Sequence, residues 1–123
     1  MSDAAPRLGP LESRIMQVLW SCAPGEYAPV REVLGRLDGD FAYTTVMTVL
    51  SRLHDKGLVQ RRKVGRGWCY APTDSADGYA AESMRQALRS AEDPTAALLR
   101  FAADLDADDA AALRRLLEGS DGG

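Results

Sequence analysis

Residues 42–57 read A-Y-T-T-V-M-T-V-L-S-R-L-H-D-K-G, and this stretch decides the fold. Two assignments compete for it. Thr44 to Val49 is rich in β-branched residues, which are stiff at χ1 and favour strands. The apolar spacing argues the other way. Val46, Val49, Leu50 and Leu53 recur at intervals of three and four, which places them on one side of an α-helix. Gly57 then stands where a helix commonly ends in left-handed backbone. The expectation is a helix from about Ala42 to Lys56. Its second face carries Thr44, Thr45, Thr48, Arg52 and Asp55.

That second face has an unusual chemistry. An idle solvent-facing helix carries mostly Glu and Lys, whereas this one carries small hydroxyls and one guanidinium. A side chain that reads base edges must be short, must donate and accept hydrogen bonds, and gains from a methyl group to set against thymine. Threonine meets all three needs, and Arg52 supplies a planar fork for guanine or phosphate.

Upstream, Leu11, Ile15, Val18 and Leu19 predict a first helix over Pro10–Trp20, with proline in its first turn. Ala23-Pro24-Gly25-Glu26 breaks it. A short second helix is expected from near Pro29, buried through Val30, Val33, Leu34 and Leu37, with Asp38-Gly39-Asp40 as the turn that ends it. Downstream of Gly57, Leu58–Lys63 and Trp68–Ala71 read as two strands around Val64-Gly65-Arg66-Gly67, a glycine-marked hairpin. Three helices followed by a β-hairpin is the layout of a winged helix. Its third helix enters the major groove and its hairpin reaches the adjacent backbone.

The remainder reads as helical. Ala76–Ala91 forms a fourth helix, Asp93 and Pro94 open a fifth, and Asp106 caps a sixth that Gly119 is expected to stop. The organisation expected is a DNA-binding domain over 1–73, a helical dimerisation region over 74–118 and a disordered tail over 119–123. The fold class is thus mainly α with a small β-hairpin. Met84, Leu88, Leu98, Leu99, Phe101, Leu105, Leu113, Leu116 and Leu117 are more apolar surface than so small an appendage can enclose. A homodimer would bury them.

Charge follows the same division. The 123 residues carry a net −3. Residues 1–73 hold ten Lys/Arg against seven Asp/Glu, a net +3, and residues 74–123 hold five against eleven, a net −6. Between residues 44 and 70 six basic residues (Arg52, Lys56, Arg61, Arg62, Lys63 and Arg66) face Asp55 alone. A nucleic-acid reader joined to a separate partner-binding half has this asymmetry. No apolar run reaches the roughly 20 residues of a bilayer span. The N-terminus lacks the pattern of a signal peptide, so a cytoplasmic location is expected.

The run Y-T-T-V-M-T-V-L-S-R-L-H-D-K-G-L-V with the preceding Ala42, together with L-E-S-R-I-M-Q-V-L-W at 11–20, P-V-R-E-V-L at 29–34 and W-C-Y-A-P at 68–72, resembles the BlaI/MecI/CopY family of bacterial repressors. The resemblance implies a winged helix that binds an inverted repeat, often with TACA/TGTA half-sites, and a helical part that makes a homodimer. It places the DNA contacts of the third helix on Thr44, Thr45, Thr48 and Arg52, and those of the wing on Lys63 and Arg66. In members that control β-lactamase, a membrane-bound sensor protease cuts the repressor just before a phenylalanine. Phe101 matches that phenylalanine, with Arg100 standing where well-known staphylococcal members have asparagine. Copper-responsive members carry a C-terminal cysteine cluster, and this chain has no cysteine after Cys69.

Other classes leave more unexplained. His54 is the single histidine. It lies on the third helix, expected at its surface, with no partners that would make a catalytic or metal-binding set, and no phosphate-binding glycine loop appears. The expectation is no enzyme, no catalytic residues, no metal and no cofactor. A redox- or ligand-responsive regulator acting through Cys22 or Cys69 is an alternative, as is a protein-interaction module. The latter leaves the threonine-arginine face and the basic hairpin without a purpose.

Overall fold

The first helix begins where its end can be satisfied locally. In the computed structural model, which describes residues 8–120, α1 spans Pro10–Trp20. Pro10 occupies the first turn, where a missing N–H costs nothing. The Glu12 carboxylate accepts from the Gly9 N–H at 2.9 Å, so one of the orphan donors of the helix start is met. Ile15, Met16 and Leu19 are buried, while Leu11 and Val18 are half-buried at the edge of the stripe.

A two-residue strand β1 (Ala28–Pro29) leads into α2 (Val30–Arg36), and α3 follows over Tyr43–Asp55. The helical reading of residues 42–57 holds. Val46, Val49, Leu50 and Leu53 are all buried against α1, α2 and the sheet. Gly57 closes α3 at φ 80°, with its N–H donating to His54 O and the Leu58 N–H donating to Leu53 O, both at 3.0 Å. This pair of bonds satisfies the last carbonyls of α3 and reverses the chain into the hairpin.

The hairpin is β2 (Val59–Val64) and β3 (Gly67–Pro72), antiparallel, with Lys63 opposite Trp68 and Val64 opposite Gly67. Two residues, Gly65 and Arg66, make the turn. Gly65 is at φ 62°, the sign that the first central position of a type II′ turn requires. The sheet has a third strand that the sequence pattern does not reveal. β1 pairs with β3, giving the order β1-β3-β2. Pro29 lies in this edge strand, where a missing N–H breaks no ladder.

One core serves these elements. Ile15, Met16, Leu19, Val33, Val46, Leu50, Leu53 and Tyr70 are its fully enclosed side chains. Each large aliphatic removed from water contributes about 1.5–3 kcal/mol.

The chain divides into two compact units, one ending at Ser83 and one beginning at Met84. The division falls inside α4 (Ala76–Ser90), further along than the expected boundary after Thr73. The reason is Trp20. Its indole N–H donates to Asp74 O at 3.0 Å and its ring lies 5.6 Å from that of Tyr79, which ties the start of α4 to the first unit. In the second unit, α5 spans Pro94–Ala103, and its cap Asp93 accepts from the Ala96 N–H at 3.1 Å. α6 spans Ala107–Ser120 behind Asp106, which accepts from the Asp109 N–H at 2.8 Å. One expectation is corrected here. Gly119 does not stop α6 but lies within it, because glycine ends a helix only by turning to positive φ, and Gly119 does not. Of the expected tail, residues 121–123 lie outside the described residues.

Candidate DNA-binding interface

The stripe that buries α3 fixes what its opposite side presents. With Val46, Val49, Leu50 and Leu53 enclosed, helical periodicity turns Thr44 and Thr48 directly outward, flanked by Thr45 and Arg52. All four are exposed. Tyr43 and Met47 are also exposed on α3, and the sequence reading did not single them out. Helix geometry alone could have found Met47, which lies one turn from Tyr43 and off the apolar stripe.

Lys56, counted among the basic residues of this stretch, points elsewhere. Its Nζ donates to both Glu12 oxygens, at 2.8 and 3.0 Å, and so joins the end of α3 to the start of α1. The Glu12 carboxyl is held below the ordinary carboxylate range, first by the Gly9 N–H and then by Lys56, against the opposing effect of its burial. His54, expected at the helix surface, is half-buried. Its Nδ1 is shielded from solvent and makes no hydrogen bond, with the Asp55 carboxylate 3.8 Å away.

The hairpin sorts its basic residues by strand alternation. Arg61 and Lys63 share one face of β2 and Arg62 takes the other. The Arg61 guanidinium carbon lies 4.3 Å from the centre of the Trp68 ring, and Lys63 Nζ lies 5.4 Å from it. Arg62 lies 4.5 Å over Tyr27, whose hydroxyl donates to Gln60 Oε1 at 3.3 Å. Arg66 is exposed at the turn. Of the two wing residues expected on phosphate, Lys63 is therefore held on an aromatic ring and Arg66 stands at the tip.

Both cysteines are free thiols. Cys69 is buried in β3. Cys22 is half-buried after α1, with its Sγ 3.6 Å from Val18 O and 3.8 Å from the Arg36 guanidinium. It lines a surface cleft with Trp20, Tyr27, Gln60, Pro72 and Thr73.

In the second unit, Met84, Leu98, Leu99, Phe101, Leu113, Leu116 and Leu117 are exposed, while Leu88 and Leu105 are half-buried. Arg100 and Phe101 lie inside α5, both exposed. No described helix is long and apolar enough to cross a membrane.

The family model of the penicillinase repressor matches residues 8–119, nearly the whole chain. The chain belongs to the penicillinase repressor family. Within that family it is similar to the transcriptional regulator BlaI of Mycobacterium tuberculosis. The proteins of strains CDC 1551 / Oshkosh and ATCC 25618 / H37Rv are each 46% identical to it over 116 residues, covering 90% of this chain and 83% of theirs. The chain is accordingly a transcriptional repressor of the BlaI type. Among solved structures, a mutant of Lactococcus lactis ZitR is similar at a TM-score of 0.50 and 11% identity, over 99% of this chain and 79% of that one. The PcaV transcriptional regulator of Streptomyces coelicolor, in complex with its natural ligand, aligns at a TM-score of 0.47 and 22% identity, over 94% and 75%. The fold class expected of the chain stands. It is a mainly helical winged helix, with a three-stranded antiparallel sheet in place of a bare hairpin.

Proposed function

We propose that this repressor binds an inverted-repeat operator as a homodimer. On this reading α3 lies in the major groove, Thr44, Thr45, Thr48 and Arg52 meet base edges and phosphate, and the wing residues Lys63 and Arg66 grip the adjacent backbone. The observation that carries the reading is the division of α3. Its apolar stripe is fully enclosed, while the four polar residues opposite are exposed and of the types that read bases. The exposed apolar side chains of the second unit supply the surface for a second copy, and two reading heads then match a two-fold operator. Cutting by a membrane-bound sensor protease at Arg100–Phe101 is a means of release open to such a dimer. Since the bond lies within α5, the helix must open locally before it can enter a protease cleft.

The test is titration of the folded variants against an operator found by footprinting upstream of the gene. Arg52→Ala is expected to weaken operator binding by about 1–3 kcal/mol, and Thr48→Ala by less, with relaxed sequence preference. Replacing both Lys63 and Arg66 by Ala is expected to weaken specific and non-specific binding alike, and to flatten the salt dependence by about one unit of slope per lost contact. Unchanged affinity in all of these variants rules out the groove assignment of α3 and the placing of the wing on DNA.

A further inference from the structure

Trp68 is 39% exposed. It stands on β3 next to the turn, directly across the ladder from Lys63 and diagonal to Arg61. On the same sheet face but nearer the core, Val59 and Tyr70 are buried. The face therefore begins as core and ends as a projecting indole with two cations on it, at 4.3 and 5.4 Å from the ring centre. Both separations lie within the range of attraction between a cation and an aromatic quadrupole. The two cations are adjacent like charges on long, flexible stems. Without the ring they would repel and spread, and each would lose side-chain freedom on meeting a fixed anion.

We infer that Trp68 is a positioning residue of the wing, which gathers Arg61 and Lys63 into one pre-set cationic pair for a backbone phosphate of duplex DNA. The inference rests on the reading of this protein as a wing-and-helix DNA binder, and it adds Arg61 and Trp68 to the wing residues assigned above. Arg62 is excluded from the pair by the alternation that sends it to the opposite face, onto Tyr27. The recognised chemistry is a phosphodiester oxyanion, so the effect is independent of base sequence.

The test uses the full chain and two labelled duplexes, one carrying a TACA/TGTA inverted repeat and one of the same composition scrambled. Trp68→Leu keeps an apolar side chain but removes the π face. It is expected to weaken binding to both duplexes by about three- to tenfold, and Trp68→Phe to recover part of that loss. In a chain already carrying Arg61→Ala and Lys63→Ala, Trp68→Leu is expected to have little further effect, because nothing is left to position. Indole emission supplies an independent readout. Wild-type emission should change on adding the scrambled duplex and revert with salt, and that change should be missing in Trp68→Phe, which retains Trp20. If Trp68→Leu weakens binding equally with and without the two cations, Trp68 acts only on wing structure and the inference falls. It falls equally if Phe is no better than Leu, or if Trp68→Leu binds as wild type. Wild-type protein that retains neither duplex at low salt overturns the DNA-binding reading itself, and the role of Trp68 with it.

Discussion

The Glu12 carboxylate accepts from the Gly9 N–H at 2.9 Å and from Lys56 Nζ at 2.8 and 3.0 Å, with only 13% of the side chain exposed. It caps α1 and fastens the C-terminal end of α3 to it, so one acid fixes the base of α3. Lys56 is more than a third exposed, and solvent screens its share of the attraction. The bond from Gly9 accordingly stands first among the causes that lower the Glu12 pKa. Its folded-state pKa lies below the ordinary value of 4.5, so its contribution to stability is fully present at neutral pH. That contribution begins to fade as the pH falls towards 4.5 and is gone below the folded-state pKa. Glu12→Gln, which keeps the shape and removes the charge, is expected to lower stability by about 1 kcal/mol at neutral pH. Thermal melts of both proteins from neutral to acid pH should show the gap closing. A gap constant across that range would mean that the charge on Glu12 is not what holds the two helices.

The end of α3 tests an element through its cap. Gly57 holds φ 80°, and a Cβ built there meets nothing within 4 Å, so substitution strains the backbone without a clash. Gly57→Ala is expected to cost about 1 kcal/mol in urea denaturation, the penalty of left-handed backbone for a residue with a Cβ. Gly67→Ala, with ordinary φ and equally open space, is expected to be near neutral, and equal losses in both variants would remove the cap from the account. Elements such as α3 were legible because several signals agreed: apolar spacing, a glycine after the last turn and turn residues beyond. β1 was not legible, since two residues have no periodicity and Pro29 reads as well as a helix start as a strand. Met16 adds a second column beside Ile15 and Leu19 on α1, which a single apolar stripe does not pick out. The place of Gly119 within α6 is not legible, because composition cannot say which sign of φ a glycine takes. In the wing, charge identified the basic residues, but only the register that sets Trp68 opposite Lys63 shows which of them share an aromatic ring. The exposed residues of α3 followed directly from the stripe, since burying one side of a helix determines the other.

At the scale of the whole molecule the two units are built on opposite principles. The first encloses its large aliphatics, whereas α4 and α5 have no buried residue and Leu99 and Leu116 stand 67% and 70% exposed. An apolar surface of this kind on a helical unit calls for a partner of like composition, and a second copy offers the same patch about a two-fold axis. Charge pulls against this arrangement. Residues 74–123 carry a net −6, so two copies bring acid towards acid, and the acid also repels DNA. Apolar burial is expected to win the first contest, because charges at a dimer rim are screened within about 10 Å at moderate salt while buried area is not. The second contest turns on the operator. A dimer gains up to about 10²–10⁴-fold by presenting its second head intramolecularly, more than diffuse repulsion removes. Leu99→Glu with Leu116→Glu leaves the chain intact and changes only α5 and α6 of the second unit. It is expected to yield a monomer by sedimentation, with the unfolding of the winged-helix core unchanged. Binding to the inverted repeat should fall by much of that factor, while binding to a single half-site stays near that of one wild-type head. A double variant that still sediments as a dimer would place the interface elsewhere. A monomer that keeps full affinity for the inverted repeat would show that the exposed leucines serve another partner.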